Sequence, residues 1–140
     1  MTARTVVAGF AVALAIVGCA SDRFHPKDNE CKGSGVCKIE VTVVNCQASA
    51  RPDPLHVFGA HEIHWTIVDS PDYSFAQDGI VFKHDGNHEF TNPRRPQPDM
   101  FMWHDRNSVA RPDPFEYSIR VMKGGTRCPV HDPGIINHGL

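Results

Sequence analysis

Apolar and polar residues alternate with a period of two in three stretches of the chain. In Lys38-Ile39-Glu40-Val41-Thr42-Val43, the aliphatic residues share one side and the polar residues the other. Glu62-Ile63-His64-Trp65-Thr66-Ile67 places Ile63, Trp65 and Ile67 together, and Phe115 to Lys123 sets Tyr117, Ile119 and Val121 against Ser118 and Arg120. A strand turns successive side chains to opposite faces, so such alternation predicts half-buried antiparallel strands. Ile80 to Lys83 and Glu89 to Thr91 flank Asp85-Gly86, a hairpin turn signal. Leu55 to Phe58 and Met100 to Trp103 are shorter strand patterns. Beyond the N-terminal apolar run, no segment carries a capped helical period. The 11 prolines fall outside the strong patterns, many in Pro-Asp-Pro and Pro-Gln-Pro clusters. Short strands punctuated in this way predict an all-β, antiparallel β-sandwich, immunoglobulin-like or cupredoxin-like.

The first residues follow another pattern. Arg4 precedes an uncharged apolar run, Val6 to Val17, of twelve residues. A membrane-spanning helix needs roughly 20. A charged start, a short apolar core and small residues at its end predict a secretory signal. That run closes on Ile16-Val17-Gly18-Cys19, which resembles the lipobox of bacterial lipoproteins. The resemblance implies that residues 1–18 are a signal peptide removed before Cys19. It further implies a diacylglyceryl group on the Cys19 thiol and an acyl group on its new amino terminus. Two or more acyl chains anchor a protein stably, where one is marginal. Ala20 stands where Gram-negative members kept at the inner membrane commonly carry Asp, so the implied address is the outer membrane, facing the periplasm.

Residues 19–30 then read as a lipidated tether and 31–140 as one β-sandwich domain. The stretch from Ala20 to Glu30 is polar and contains Pro26. Its eleven residues reach at most about 40 Å, which keeps the domain near its membrane.

Five cysteines are an odd number for an exported chain. Assigning Cys19 to lipid leaves Cys31, Cys37, Cys46 and Cys128, an even set in an oxidising compartment. Four cysteines allow three pairings. Gly33 and Gly35 let a short Cys31–Cys37 loop close, which favours that pair together with Cys46–Cys128, stapling the two ends of a sheet. Thiolate zinc sites usually space their cysteines two to four apart, whereas the spacings here are six, nine and eighty-two.

Charge is bland. The chain carries 14 Lys+Arg against 16 Asp+Glu, with no basic run that would indicate nucleic acid. The 9 histidines are more informative. Imidazole suits zinc and copper, so a metal site is the second expectation, using His84 and His88 at the predicted hairpin with His61 or His64. His61 and His64 lie three apart on a strand and therefore on opposite faces. If the Asp85-Gly86-Asn87 loop is three residues long, His84 and His88 face each other; if it is two, they lie diagonally. His104 and His131 stand singly. A blue-copper centre uses two His, a Cys thiolate and usually a weak axial Met close behind the Cys, and no Met follows Cys128, so a cupredoxin-like fold is expected here without that centre.

No Gly-x-Ser-x-Gly elbow, phosphate-binding glycine loop or His-Glu-x-x-His motif is present. The first expectation is therefore a non-catalytic binding or structural module, anchored by lipid and facing a protein partner in the envelope. Met100-Phe101-Met102-Trp103 is apolar on both faces, as a doubly buried strand or a contact patch would be. Finally, Ala50-Arg51-Pro52-Asp53-Pro54-Leu55 recurs as Ala110-Arg111-Pro112-Asp113-Pro114-Phe115. Either one turn solution serves twice or the copies form a paired recognition loop.

Overall fold

A computed structural model describes residues 28–84 and 86–139 of the chain. The lipobox, Cys19 and most of the tether lie outside the described residues, as does Asp85.

The alternating stretches are strands, and their aliphatic sides meet. β2 (Val36–Val44) turns Cys37, Ile39, Val41 and Val43 inward, and β5 (His61–Ile67) turns in His61, Ile63, Trp65 and Ile67. They lie side by side with β3 (Gln47–Arg51), β8 (Met100–Asp105) and β7 (Phe90–Gln97) in sheet I, ordered β3-β2-β5-β8-β7. Sheet II follows the order β1-β4-β11-β9-β10, with β6 also on β9. Its strands are β1 (Glu30–Cys31), β4 (Leu55–Val57), β6 (Tyr73–Phe82), β9 (Asp113–Lys123), β10 (Thr126–Arg127) and β11 (Gly134–Asn137).

The two sheets pack as a β-sandwich. Pairing within them is mixed rather than wholly antiparallel: β2 with β5, β1 with β4 and β4 with β11 run parallel. Alternation reports which face is buried and not the direction of a neighbour, so it does not distinguish the two pairings.

Aromatic rings fill the space between the sheets. Trp65 meets Tyr117 edge-on at 5.4 Å and Phe82 at 6.2 Å, and Phe82 stacks on Phe90 at 3.5 Å. Burying each such side chain stabilises the fold by roughly 1.5–3 kcal/mol. Phe101 and Trp103 of β8 also face inward, and the Trp103 indole donates to Ile80 O at 3.1 Å. Met100 and Met102 lie half-buried on the opposite face.

Two disulfides join the layers. Cys31 of β1 pairs with Cys37 of β2, and Cys46, in the β2–β3 turn, pairs with Cys128 just after β10. Each runs from sheet II to sheet I, so β2 is pinned across the sandwich at both ends. Cys46–Cys128 therefore staples two sheets together, not the two ends of one sheet.

The expected hairpin at Asp85-Gly86 does not form. β6 pairs with β9 and β7 with β8, so the chain crosses between sheets there. Gly86–Glu89 forms a single helical turn, α1. The stacked Phe82 and Phe90 hold the two ends of this crossing. β7 contains Pro93 and Pro96 yet is a strand, because it lies at the edge of sheet I and its ladder slips twice.

Gly79 marks a close approach in β6, where the ladder to β9 shifts between Phe75 and Ile80. A Cβ there would lie 2.7 Å from Phe75 Cβ and 3.1 Å from a Phe101 ring carbon. Gly79→Ala is expected to lower stability by about 1–3 kcal/mol, seen as a lower urea midpoint. An unchanged midpoint would show that the β6 backbone at Phe75 and the Phe101 ring both give way freely.

Candidate functional site

The histidines named from the sequence separate into three surroundings. His61 begins β5 on its inward face. Because β2 runs parallel to β5 with Val36 opposite Glu62, His61 lands beside the Cys31–Cys37 loop. One ring nitrogen lies 3.1 Å from Gly35 O and the other 3.1 Å from Phe58 O. Both partners are carbonyl acceptors, and a neutral imidazole donates to only one. Cys31 Sγ, Cys37 Sγ and an His61 nitrogen all lie within 4.8 Å of one another. Among the described residues this is the three-donor group of metal-ligating type.

His64 points to the outer face of sheet I, as the spacing requires. Glu62, two residues back on the same face of β5, links it to His104 across the ladder: the Glu62 carboxylate lies 4.0 Å from His64 Nε2 and 3.7 Å from His104 Nδ1. A cation already occupies that carboxylate, for Arg94 Nη2 sits 2.6 Å from Glu62 Oε2. Burial holds the His64 imidazole below its ordinary pKa; Glu62 opposes this, while Arg94 and Lys38 add to it. This group is an ion-pair cluster closed by a guanidinium.

His84 and His88 are not brought together across a ladder, because the hairpin that would pair them is a crossing between sheets. His88 is exposed on α1, and His84 stands at the rim of a cleft. His56 also comes into contact with a distant histidine: its Nδ1 lies 2.8 Å from His138 Nε2, and His138 stacks on Phe58. Residues 82 apart carry no spacing signal.

The cleft has a volume of about 540 Å³ and contains the repeated segment. Strand β11 lies between β4 and β9, and Ile135 pairs with Leu55 on one side and Phe115 on the other. Leu55 and Phe115 hold the same place in the two copies of Ala-Arg-Pro-Asp-Pro. Asp53 and Asp113 therefore reach one cleft from its two sides. The copies do not share a conformation. Pro52 to Pro54 is a bend carrying the chain from sheet I to sheet II, whereas Asp113 and Pro114 are already inside β9. One turn solution used twice is thus not what the repeat encodes.

Asp53 Oδ1 accepts from Gly134 N at 3.0 Å, fixing the bend to the start of β11. Lys83 ion-pairs with Glu116 and, at 2.8 Å, with Asp132. That ammonium holds the Asp132 carboxyl below its ordinary range, with the Ser118 hydroxyl adding a bond at 2.8 Å. Four carboxylates and one lysine line the cleft, so its charge is negative.

A buried polar group lies between the sheets near His61. Asp105 is fully buried; its Oδ1 accepts from Asn107 N and from Asn137 Nδ2, each at 2.9 Å. Burial pushes its carboxyl up to about 7, against the pull of these two bonds. Asn107 continues the network, donating to Val57 O and Gly59 O and accepting from Gly139 N. These bonds tie β8 to β4 and the chain end, which is a structural task. No family model matches the chain, and no curated protein does.

Proposed function

We propose that this chain is a lipid-anchored envelope protein, held in the outer membrane through Cys19, whose β-sandwich is a non-catalytic binding module facing the periplasm. Its contact surface is the cleft between the two Pro-Asp-Pro segments. The observation that carries this reading is the meeting of two copies of one short motif, sixty positions apart, on either side of β11. The acidic walls suit a basic segment of a protein partner, since complementary charge steers association and rejects acidic competitors. The lipobox at Ile16 to Cys19 supplies the anchor, and two staples across β2 give the surface a rigid mount.

Two measurements test it together. Cys19→Ala is expected to release the protein from membranes; a variant that still pellets through an alkaline wash would remove the lipid anchor. A photocrosslinking residue at Asp113 or His84 is expected to capture a discrete envelope protein in the native host, while one at exposed Ser49 does not. Equal capture from all three positions, or none from the cleft at normal protein levels, would overturn the cleft as a contact surface.

A further inference from the structure

We infer that Cys31, Cys37 and His61 form a redox-gated site for a thiophilic d10 cation, Zn2+ or Cu+, open only when the Cys31–Cys37 disulfide is reduced. The cysteine spacing argued against thiolate ligation, but spacing along the chain is not distance in the fold. Parallel pairing of β2 with β5 brings a third donor to the pair, so that both sulfurs and an imidazole nitrogen lie within 4.8 Å of one another. In a tetrahedral site with Zn–S near 2.3 Å and Zn–N near 2.0 Å, the donors lie roughly 3.4–3.8 Å apart. Once reduced, the sulfurs need only part by about 2 Å to reach that separation.

The surroundings permit this movement on one side and resist it on the other. Gly33 and Gly35 have φ of +81° and +144° with open space about them, and Cys31 lies half-exposed on a two-residue strand. Cys37 and His61 are buried on neighbouring long strands and stay in place. When one His61 nitrogen takes the ion, the other retains its backbone carbonyl. That second bond is how proteins fix the tautomer and aim of a ligating imidazole. Two thiolates balance Zn2+, so the occupied site adds no net charge to a buried place.

The chemistry balances with a dithiol as the reductant. Thiol–disulfide exchange transfers two electrons and two protons: the dithiol closes to its own disulfide, and Cys31 and Cys37 become thiols. Binding the cation then releases both thiol protons. The reductant is any dithiol able to close to its own disulfide, a protein oxidoreductase included.

The full chain in detergent micelles, with and without reduction by a phosphine, tests this. Zn2+, Co2+ as its spectroscopic stand-in, and Cu+ are titrated separately. The reduced chain is expected to bind one equivalent with a thiolate-to-Co2+ charge-transfer band, and the oxidised chain none. Cys31→Ser with Cys37→Ser, treated identically, is expected to bind none while unfolding at the same midpoint as the reduced wild-type chain. His61→Gln, which leaves both thiols, is expected to weaken binding by about tenfold or more. Binding by the oxidised chain, binding that survives the double serine variant, or failure of all three ions to bind a still-folded reduced chain would overturn the site. The double serine variant retains Cys46 and Cys128, which separates the proposed site from the other pair of thiols.

Discussion

Asp105→Asn is expected to raise the stability of the protein at pH 8 and to leave it nearly unchanged at pH 4. The reason lies in two oxygens without partners. Asp105 Oδ2 and Asn137 Oδ1 are both buried and unbonded, although Asn137 Nδ2 donates to the other Asp105 oxygen. An ionised carboxylate only accepts, so neither oxygen has a donor. A proton on Oδ2 supplies the donor that Asn137 Oδ1 lacks. The acid form therefore leaves fewer buried acceptors without a donor than the carboxylate does.

The direction of the pKa agrees with this accounting. Asp105 rises from 3.8 to about 7, chiefly through burial; Asn107 and Asn137 lower it, Glu89 raises it and His61 lowers it. A carboxyl whose pKa is higher folded than unfolded binds its proton more tightly in the native state. Its contribution is therefore complete below pH 4 and is lost as pH climbs from about 4 to about 7. Each unit is worth about 1.4 kcal/mol, so the loss approaches 4 kcal/mol. Asparagine reproduces the protonated form at every pH, its Nδ2 donating where the acid O–H would. Thermal unfolding followed by tryptophan fluorescence should show the wild-type midpoint falling between pH 4 and 7 while that of Asp105→Asn stays flat. At pH 8 the variant should melt about 10 °C higher. A variant that loses as much at pH 8 as at pH 4 would mean that the ionised carboxylate is the native form.

Asp105 also shows where a linear reading stops. Alternation identified β2, β5 and β9 because their inward residues are large and their outward ones polar. β3 turns only Ala48 and Ala50 inward, β11 is four residues long, and β7 carries two prolines at an edge; none has enough apolar contrast to register. Asp105 falls on the core face of β8, where alternation calls for an apolar side chain. Its partners come from a loop and from β11, and no local pattern announces them. The Cys31–Cys37 pairing was favoured by two glycines in a short loop, a local property. His61 beside it was not legible, because a parallel strand pairing placed it there. The false hairpin has the converse cause: Asp-Gly specifies a turn, but not whether the strand beyond it returns to the same sheet.

Removing the two disulfides should cost unequal amounts. In the chain-entropy account, a cross-link stabilises by restricting the unfolded chain, and the gain grows with the length of loop closed. Cys46–Cys128 spans a sequence separation of 82 and Cys31–Cys37 one of 6. The corresponding contributions are about 4.5 and about 2.2 kcal/mol. Against a total of roughly 5–15 kcal/mol for a domain, the first is a large share and the second a modest one. The paired variant Cys46→Ala with Cys128→Ala should therefore shift the urea midpoint about twice as far as Cys31→Ala with Cys37→Ala. Both disulfides join sheet I to sheet II, so loss of a native inter-sheet contact alone predicts similar shifts. Equal shifts would thus locate the stabilisation in the folded state and not in the unfolded chain. Unequal shifts have a consequence for the short loop: its disulfide adds less to the stability of the fold, so it opens under a milder reductant than the long staple does.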